Sequence, residues 1–335
     1  MRYTFLICSE RSGSNLVTSL MSGHPLFSGP PPTHMFRLFG LNKGHYLPFT
    51  PESRARFLTD FHDARSTILG DWNTSFTPDE LLEACGDSPN MAAAFDFMYR
   101  RECDSDGASQ AFVKENHTYR LIPFLLDHWP DARFVFQVRD PRDVAASWVN
   151  TSSVPGGVKE AVSIWCADQS QTIECLSAPR LEEKTAQIRY EDLITHPSEV
   201  LNGVCRHLEV EFDAGMLSAH QNPRTTRTAK QVDAWSNLQR PVMSQNAGKF
   251  RSVLTDDDVL YIELKCAKLM KQFGYAMLND VESIAPTERE RMLVSLEGRL
   301  SSGKAQRPMS DAEAQRRERR LALISRVINQ PEVRP

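Results

Sequence analysis

The run Ser9-Glu10-Arg11-Ser12-Gly13-Ser14 lies between a short apolar segment, Phe5-Leu6-Ile7-Cys8, and apolar residues at helical spacing, Leu16, Val17, Leu20 and Met21. A strand, a tight loop and a helix in that order make a pocket for an anion, because the first backbone N–H groups of the helix and its positive dipole end point at the loop. Gly13 lets the backbone approach a ligand closely, Arg11 adds a fixed charge, and Ser12 and Ser14 add donors. The loop is not a Walker A loop, which needs G-x-x-x-x-G-K-[ST]. Aligned on Gly13, the Lys position is Ser14 and the Mg²⁺-holding position is Asn15. A second group stands at 139–147. Arg139 ends an apolar run and Ser147 follows eight residues later, in the second turn of the next helix. An Arg at a strand tip and a Ser on the following helix can converge on one more phosphate.

Positioning these groups requires strands that alternate with helices. Residues 3–8 read as a buried strand, and the helix after them stops at Gly23-His24-Pro25. The prolines within 27–40 exclude a regular helix there, so this segment is expected to cross the top of a sheet. Residues 51–100 read as helical, with Thr77 as cap, Pro78 in the first turn and Asp79 and Glu80 on the dipole. Strands are expected at 109–117, 132–138 and from 186, and helices at 118–130, 157–178 and 255–275. The helix from 140 is expected to open with Asp140 as cap, Pro141 at the first position and Asp143 closing a capping box. Such alternation predicts an α/β fold: three layers, α/β/α, around a central parallel sheet with right-handed crossovers. Ligands of such sheets sit at the carboxyl ends of the strands. Three polar clusters fall there: Ser9–Ser14, Lys114–His117 and Arg139–Asp143.

The 335 residues, 41% of them hydrophobic, suffice for one large domain or two, and the net charge of −4 argues against a general nucleic-acid or membrane binder. Seven cysteines, an odd number with no C-x-x-C, fit a reducing compartment and give no metal site. No basic-then-apolar leader precedes Phe5 and no apolar run approaches a membrane span, so a cytoplasmic protein is expected. Residues 1–282 read as the main domain. Residues 283–335 read as a charged helical extension, broken at Gly303 and Pro308. Its helix at 310–328 carries an apolar stripe, Leu321, Ile324, Val327 and Ile328, suited to packing on the domain, to joining a partner or second copy, or to lying on a membrane surface.

With these motifs in view, the chain resembles the sulfotransferases that use 3′-phosphoadenosine 5′-phosphosulfate (PAPS), and is nearer to bacterial and carbohydrate-type members than to the cytosolic phenol and steroid type. The family's 5′-phosphosulfate loop resembles "SERSGSNL", and its 3′-phosphate motif resembles "RDPRDVAAS", with the same spacing of eight from Arg to Ser. "RYEDL" at 189–193 and "NAGKFRSVLTDDD" before a helix ending in "FGY" resemble two further family segments. The resemblance spans residues 3 to about 276 and implies the P-loop nucleotide-hydrolase-like sulfotransferase fold. It implies that Arg11 and the backbone of Ser12, Gly13, Ser14, Asn15 and Leu16 hold the 5′-phosphosulfate. Arg139 and Ser147 would hold the 3′-phosphate, with Lys249 and Arg251 as further ligands of that end, and Lys114 would lie near the transferred group. No metal is implied, because fixed cations and N–H groups can stabilise the leaving phosphate. The acceptor implied is a hydroxyl or amine of a small molecule, sugar or lipid.

Two histidines compete for the base. His34 follows Pro30-Pro31-Pro32 where carbohydrate-type members have a Glu before His-Phe-Phe; here the Glu position is Pro32. His117 lies three residues after Lys114, one more than in the cytosolic branch, and Glu115 is a third candidate. Tyr190, Glu191 and Asp192 are expected to brace the fold. Two other readings compete: a P-loop kinase-like phosphotransferase, against which Ser14 and Asn15 speak, and a non-catalytic nucleotide-binding module that docks a partner through 283–335. Acceptor-lining residues are expected within 27–75, 150–160 and 220–247.

Overall fold

A computed structural model describes residues 1–68, 70–151, 154–231, 237–304 and 311–333. The fold starts from the pattern of β1 (Arg2–Cys8). Tyr3, Phe5 and Ile7 turn into one apolar cluster, and Leu6 and Cys8 into another on the opposite face. A strand buried on both faces needs helices on both, which makes the three layers.

Among the described residues, five strands form one parallel sheet in the order β2-β3-β1-β4-β5. The others are β2 (Phe27–Ser28), β3 (Gln110–Lys114), β4 (Arg133–Val138) and β5 (Thr185–Arg189). The chain passes from β1 to the β2 edge, returns through β3 to one side of β1, and then crosses to β4 on the other side. The carboxyl end of β1 is therefore a switch point where successive crossovers diverge and leave a crevice.

Helix α1 (Ser14–Ser22) follows β1. Helices α2 (Met35–Leu41), α3 (Pro51–Ser66), α4 (Pro78–Cys85) and α5 (Ala92–Asp106) lie between β2 and β3. Helix α6 (Ile122–His128) precedes β4, and α7 (Pro141–Val149), α8 (Val158–Leu176) and α9 (Pro179–Glu182) precede β5. After β5 come α10 (Tyr190–Thr195), α11 (Pro197–His207), α12 (Pro223–Gln231), α13 (Phe250–Val253) and α14 (Asp256–Gln272). The chain then continues through α15 (Pro286–Glu297) and α16 (Asp311–Ile328). Thr77 and Thr255 form reciprocal capping boxes with Glu80 and Asp258, each such cap stabilising its helix by about 1 kcal/mol.

Several sequence expectations change. The 27–40 segment is not wholly irregular: its prolines end at Pro32, and α2 begins at Met35 with His34 before it. Asp143 closes no box. Asp140 alone caps α7 by accepting from the Arg142 N–H, and Asp143 accepts instead from Gly248 N (2.7 Å) and Phe250 N (3.0 Å). The α16 stripe is rotated as well. Leu323 and Val327 are buried and Ile324 packs beside them, whereas Leu321 and Ile328 are more than half exposed. Pro308 lies outside the described residues.

Candidate active site

Because all strands are parallel, the loops after β1, β3, β4 and β5 emerge at one edge of the sheet. The loop after β1 bends sharply, with Arg11 at φ 63° and Gly13 at φ 87°. Gly13 precedes α1, whose first N–H groups receive no side-chain cap. Ser12 is fully buried, and its Oγ has no hydrogen-bond partner among the described residues. The Leu16 N–H turns back to Gly13 O (2.9 Å), and the helix N–H groups before it, without a side-chain cap and beside an orphaned buried hydroxyl, suit a bound anion.

Gly13 is required twice over. Its φ is left-handed, and a Cβ there would collide with the Tyr190 ring. Gly13→Ala should therefore introduce about 1–2 kcal/mol of backbone strain before any displacement of the ring. Thermal unfolding should show a lowered Tm and titration a weakened anion affinity; a mutant matching wild type in both would contradict this packing.

Arg139, at the tip of β4, is 6% exposed. Its guanidinium lies 4.3 Å over the Tyr190 ring and donates to Arg11 O (3.0 Å) and Asn246 O (3.1 Å), leaving Nε without a partner. Arg11 donates from Nε to Ser147 Oγ (3.2 Å). Burial and the nearby Arg139 charge push the Arg11 pKa down. Two guanidinium groups and a hydroxyl thus gather at one point without an acidic side chain paired to either cation among the described residues. Lys249 and Arg251 stand just beyond, both exposed, on the segment that Asp143 clamps.

The residues of "RYEDL" brace this corner. Tyr190 Oη accepts from Asn246 Nδ2 (2.5 Å), and Glu191 accepts from Asp140 N (3.0 Å) and Tyr275 Oη (2.8 Å). Burial raises the Glu191 pKa. Asp192 is exposed and 3.9 Å from Arg189.

After β3, Lys114 Nζ donates to Asn116 Oδ1 (2.9 Å), and Asn116 Nδ2 donates to Glu10 Oε1 (2.6 Å), which ties this strand tip to the first loop. The two histidines face different carboxylates. His117 Nδ1 is 3.1 Å from Asp168 Oδ1 on α8, and Tyr119 Oη donates to the same oxygen (3.1 Å). His34 Nδ1 is 3.7 Å from Glu115 Oε2, beyond hydrogen-bond distance, and Glu115 is fully buried. Burial lowers the His34 pKa, opposed by Glu115 and assisted by Lys114 and Arg37. Arg11, His34 and His117 all hold positive φ, as does Glu209 elsewhere. Non-glycine residues in that region cost about 1–3 kcal/mol each, and such strain concentrates at functional sites.

Sequence reasoning missed Asp168 and Tyr119, and gave Asn246, the first residue of "NAGKFRSVLTDDD", no role. Asp168 is brought in from α8, 51 residues from His117, and no local pattern marks it. Of the segments expected to line an acceptor pocket, Pro31, Pro32, Asn222 and Thr225 meet Asn15 and Thr18 of α1 in a small cleft. Residues 69, 152–153 and 232–236 of those segments lie outside the described residues. A larger cavity lined by Thr4, Gln110, Trp129 and Lys184 lies at the opposite edge of the sheet, remote from these loops.

A central parallel sheet, a β1–α1 loop with an uncapped helix start and no P-loop lysine define a class, and sequence comparison supplies the family. The chain belongs to the sulfotransferase family, whose sequence model matches residues 4–214. It is similar to the nodulation protein NoeE of Sinorhizobium fredii (strain NBRC 101917 / NGR234), 21% identical over 293 residues. That match covers 81% of this chain and 65% of NoeE, so the chain spans just under two thirds of that relative's length. In structure it is similar to the sulfotransferase domain from the Synechococcus PCC 7002 olefin synthase, with 21% identity and a TM-score of 0.54 over 83% of this chain and 96% of that one. It is also similar to the sulfotransferase domain from the curacin biosynthetic pathway, with 20% identity and a TM-score of 0.52 over 82% and 98% of the two chains. At these identities the likeness shows the sulfotransferase fold. Among the described residues, no helix is long and apolar enough to cross a membrane.

Proposed function

We propose that this chain transfers a sulfuryl group from PAPS to a hydroxyl (or amine) of a small-molecule, sugar or lipid acceptor. The observation that carries this reading is the convergence of Arg11, Arg139 and Ser147 on an uncapped α1 N-terminus with the orphaned Ser12 hydroxyl beneath it. When bound, PAPS supplies the sulfuryl group and a phosphate leaving group. The N–H groups of Ser12 to Leu16 hold the 5′ end, and Lys114, tied to the loop through Asn116 and Glu10, faces the transferred group. Arg139 and Ser147 hold the 3′-phosphate, and Arg11, bonded to Ser147, stands between the two ends. Lys249 and Arg251 are further ligands of the 3′-phosphate end. His34 takes the acceptor proton at Nε2, since its Nδ1 faces Glu115. The acceptor O–H bond breaks as the O–S bond forms, and the S–O bond to the phosphate breaks in the same step.

Arg139→Ala should weaken binding of 3′-phosphoadenosine 5′-phosphate (PAP) by about 1.5–3 kcal/mol, the range for a charge-assisted hydrogen bond. Because Arg139 also props the backbone at Arg11 and Asn246, a small loss of Tm is expected with it. Calorimetric titration that returned wild-type affinity would remove Arg139 from the site.

With Ser14 and Asn15 at the Walker positions, turnover should persist in excess EDTA. The assay is sulfuryl transfer from PAPS to a panel of hydroxylated acceptors. Activity lost in EDTA and restored by Mg²⁺ would favour a kinase-like reaction instead.

A further inference from the structure

The extension beyond residue 282 is fastened to the catalytic fold at successive points. Leu296, Leu323 and Val327 lie in the same apolar cluster as Phe5 and Phe134 of the sheet. Ser301 donates through its N–H and Oγ to the buried Asp258 (2.8 and 2.6 Å), and its carbonyl accepts from Val158 N (3.1 Å). Lys304 N donates to Val149 O (3.1 Å), and a Cβ on Gly303 would collide with the Gly156 carbonyl, so the strap is pressed against the α7–α8 loop. On α16, Arg326 pairs with Asp60 and Asp63 of α3 (both 2.6 Å), and Val333 N donates to Gly44 O (2.9 Å).

This anchoring delivers one residue to the proposed base. Arg320 donates from Nη2 to Thr33 O (2.8 Å) and from Nη1 to Thr67 Oγ1 (3.1 Å). Thr33 immediately precedes His34, and its own Oγ1 donates to Glu115 Oε1 (3.3 Å) while accepting from Met35 N (3.1 Å). Arg320, Thr33, Glu115 and His34 therefore form one connected unit at the start of α2. Glu115 is fully buried, and its second oxygen has no hydrogen bond among the described residues. A buried carboxylate so placed needs compensating charge.

We propose that Arg320, supplied by the C-terminal extension, is a positioning residue of the active site: it fixes the left-handed turn at His34 and offsets the charge of Glu115, which faces His34 Nδ1. The inference rests on the reading of His34 as base. The charged groups acting on the ring are Glu115 at Nδ1, Lys114 on the strand tip and Arg37 one turn along α2; Arg320 on α16 and Tyr99 on α5 act on Glu115. With Arg320 in place, its charge offsets part of that of Glu115, while its own hydrogen bonds go to Thr33 and Thr67. Without it, Glu115 is left to the imidazole, which favours the protonated ring. The extension thereby keeps His34 in its neutral, proton-accepting form, and the sequence beyond the family match at 4–214 becomes part of the catalytic unit.

The test is an NMR titration of the His34 ring in the full chain, assigned by loss of its signal in His34→Gln, alongside the pH profile of kcat. Arg320→Met should raise the His34 pKa by about half a unit to one unit and move the acid limb of kcat upward by the same amount. Arg320→Lys should keep both near wild type, because the charge is retained. Arg326→Gln, which loosens the same helix at Asp60 and Asp63, should leave the titration unmoved. An unchanged His34 titration in Arg320→Met overturns the proposal, and so does an equal shift in Arg326→Gln, which would assign the effect to helix docking. If Arg320→Met does not fold, the Lys variant decides: retention of the wild-type titration supports the role, and a raised pKa refutes it. A silent His34→Ala would instead sink the base assignment, which the ring titration does not presuppose.

Discussion

His34→Ala is expected to lower kcat by about 10²–10⁴ while PAP affinity stays near wild type. A hydroxyl attacking sulfur must lose its proton, and the group that receives it must be neutral and within hydrogen-bond reach. Burial holds the His34 pKa below its ordinary value of about 6.5. The sign follows directly. Lowering the pKa of a base extends its neutral form to lower pH, so the acid limb of kcat should fall below pH 6.5 rather than above it. His117→Ala should lose less in kcat and part of its effect should appear in PAP binding, because His117 follows the β3 tip that carries Lys114 and is bonded to Asp168. Measuring both mutants against one acceptor separates the roles. A dead His117→Ala beside a near-normal His34→Ala reverses the assignment, and two near-normal mutants move the role to Glu115.

The largest effect on stability is expected at Arg142. Its guanidinium is buried, donating to both Asp140 oxygens (3.0 and 2.6 Å) and to Glu263 Oε1 (2.7 Å), with the Phe250 ring 4.4 Å away. Glu263 is fully buried and also accepts from the N–H groups of Leu278 and Asn279 (both 2.8 Å). Arg142→Met keeps most of the volume but leaves two carboxylates in the interior without their cation. Breaking a buried pair this way costs about 3–5 kcal/mol. The loss reaches the site, since Asp140 caps α7, which carries Ser147. Denaturant unfolding checks the figure: a change below about 1 kcal/mol would mean that the cluster behaves like a surface ion pair.

What could be read in advance was what local patterning encodes. The alternation of Tyr3, Phe5 and Ile7 against Leu6 and Cys8, the Thr77 cap, and the Pro141 start of α7 each depend on neighbours within a turn or two. So does the Ser9–Ser14 loop, whose chemistry follows from its place between a strand and a helix. The failures share the opposite property. Asp143 has the right spacing for a capping box, but the N–H groups of Gly248 and Phe250, more than a hundred residues away, take its oxygens. The α16 stripe was mis-phased because helical spacing fits two neighbouring faces, and Arg320 and Arg326 select the one that docks on α3 and the Thr33 turn. The two histidines could be named as candidates, yet their carboxylate partners could not be told apart, because Asp168 arrives on α8 and Glu115 only after β3 is paired. The family resemblance supplies the proposal for the anion; the long-range contacts determine which side chains stand around the loop.

The most direct measurement is a pair of calorimetric titrations of the purified chain, one with PAP in EDTA and one with ATP and Mg²⁺. The arrangement of Arg11, Arg139 and Ser147 around the α1 N-terminus, with Ser14 and Asn15 in place of the P-loop Lys and Ser/Thr, predicts saturable PAP binding that needs no metal. It also predicts that this binding weakens in Arg139→Ala and that ATP–Mg²⁺ does not compete. Binding of ATP–Mg²⁺ with no uptake of PAP would contradict the account at its centre.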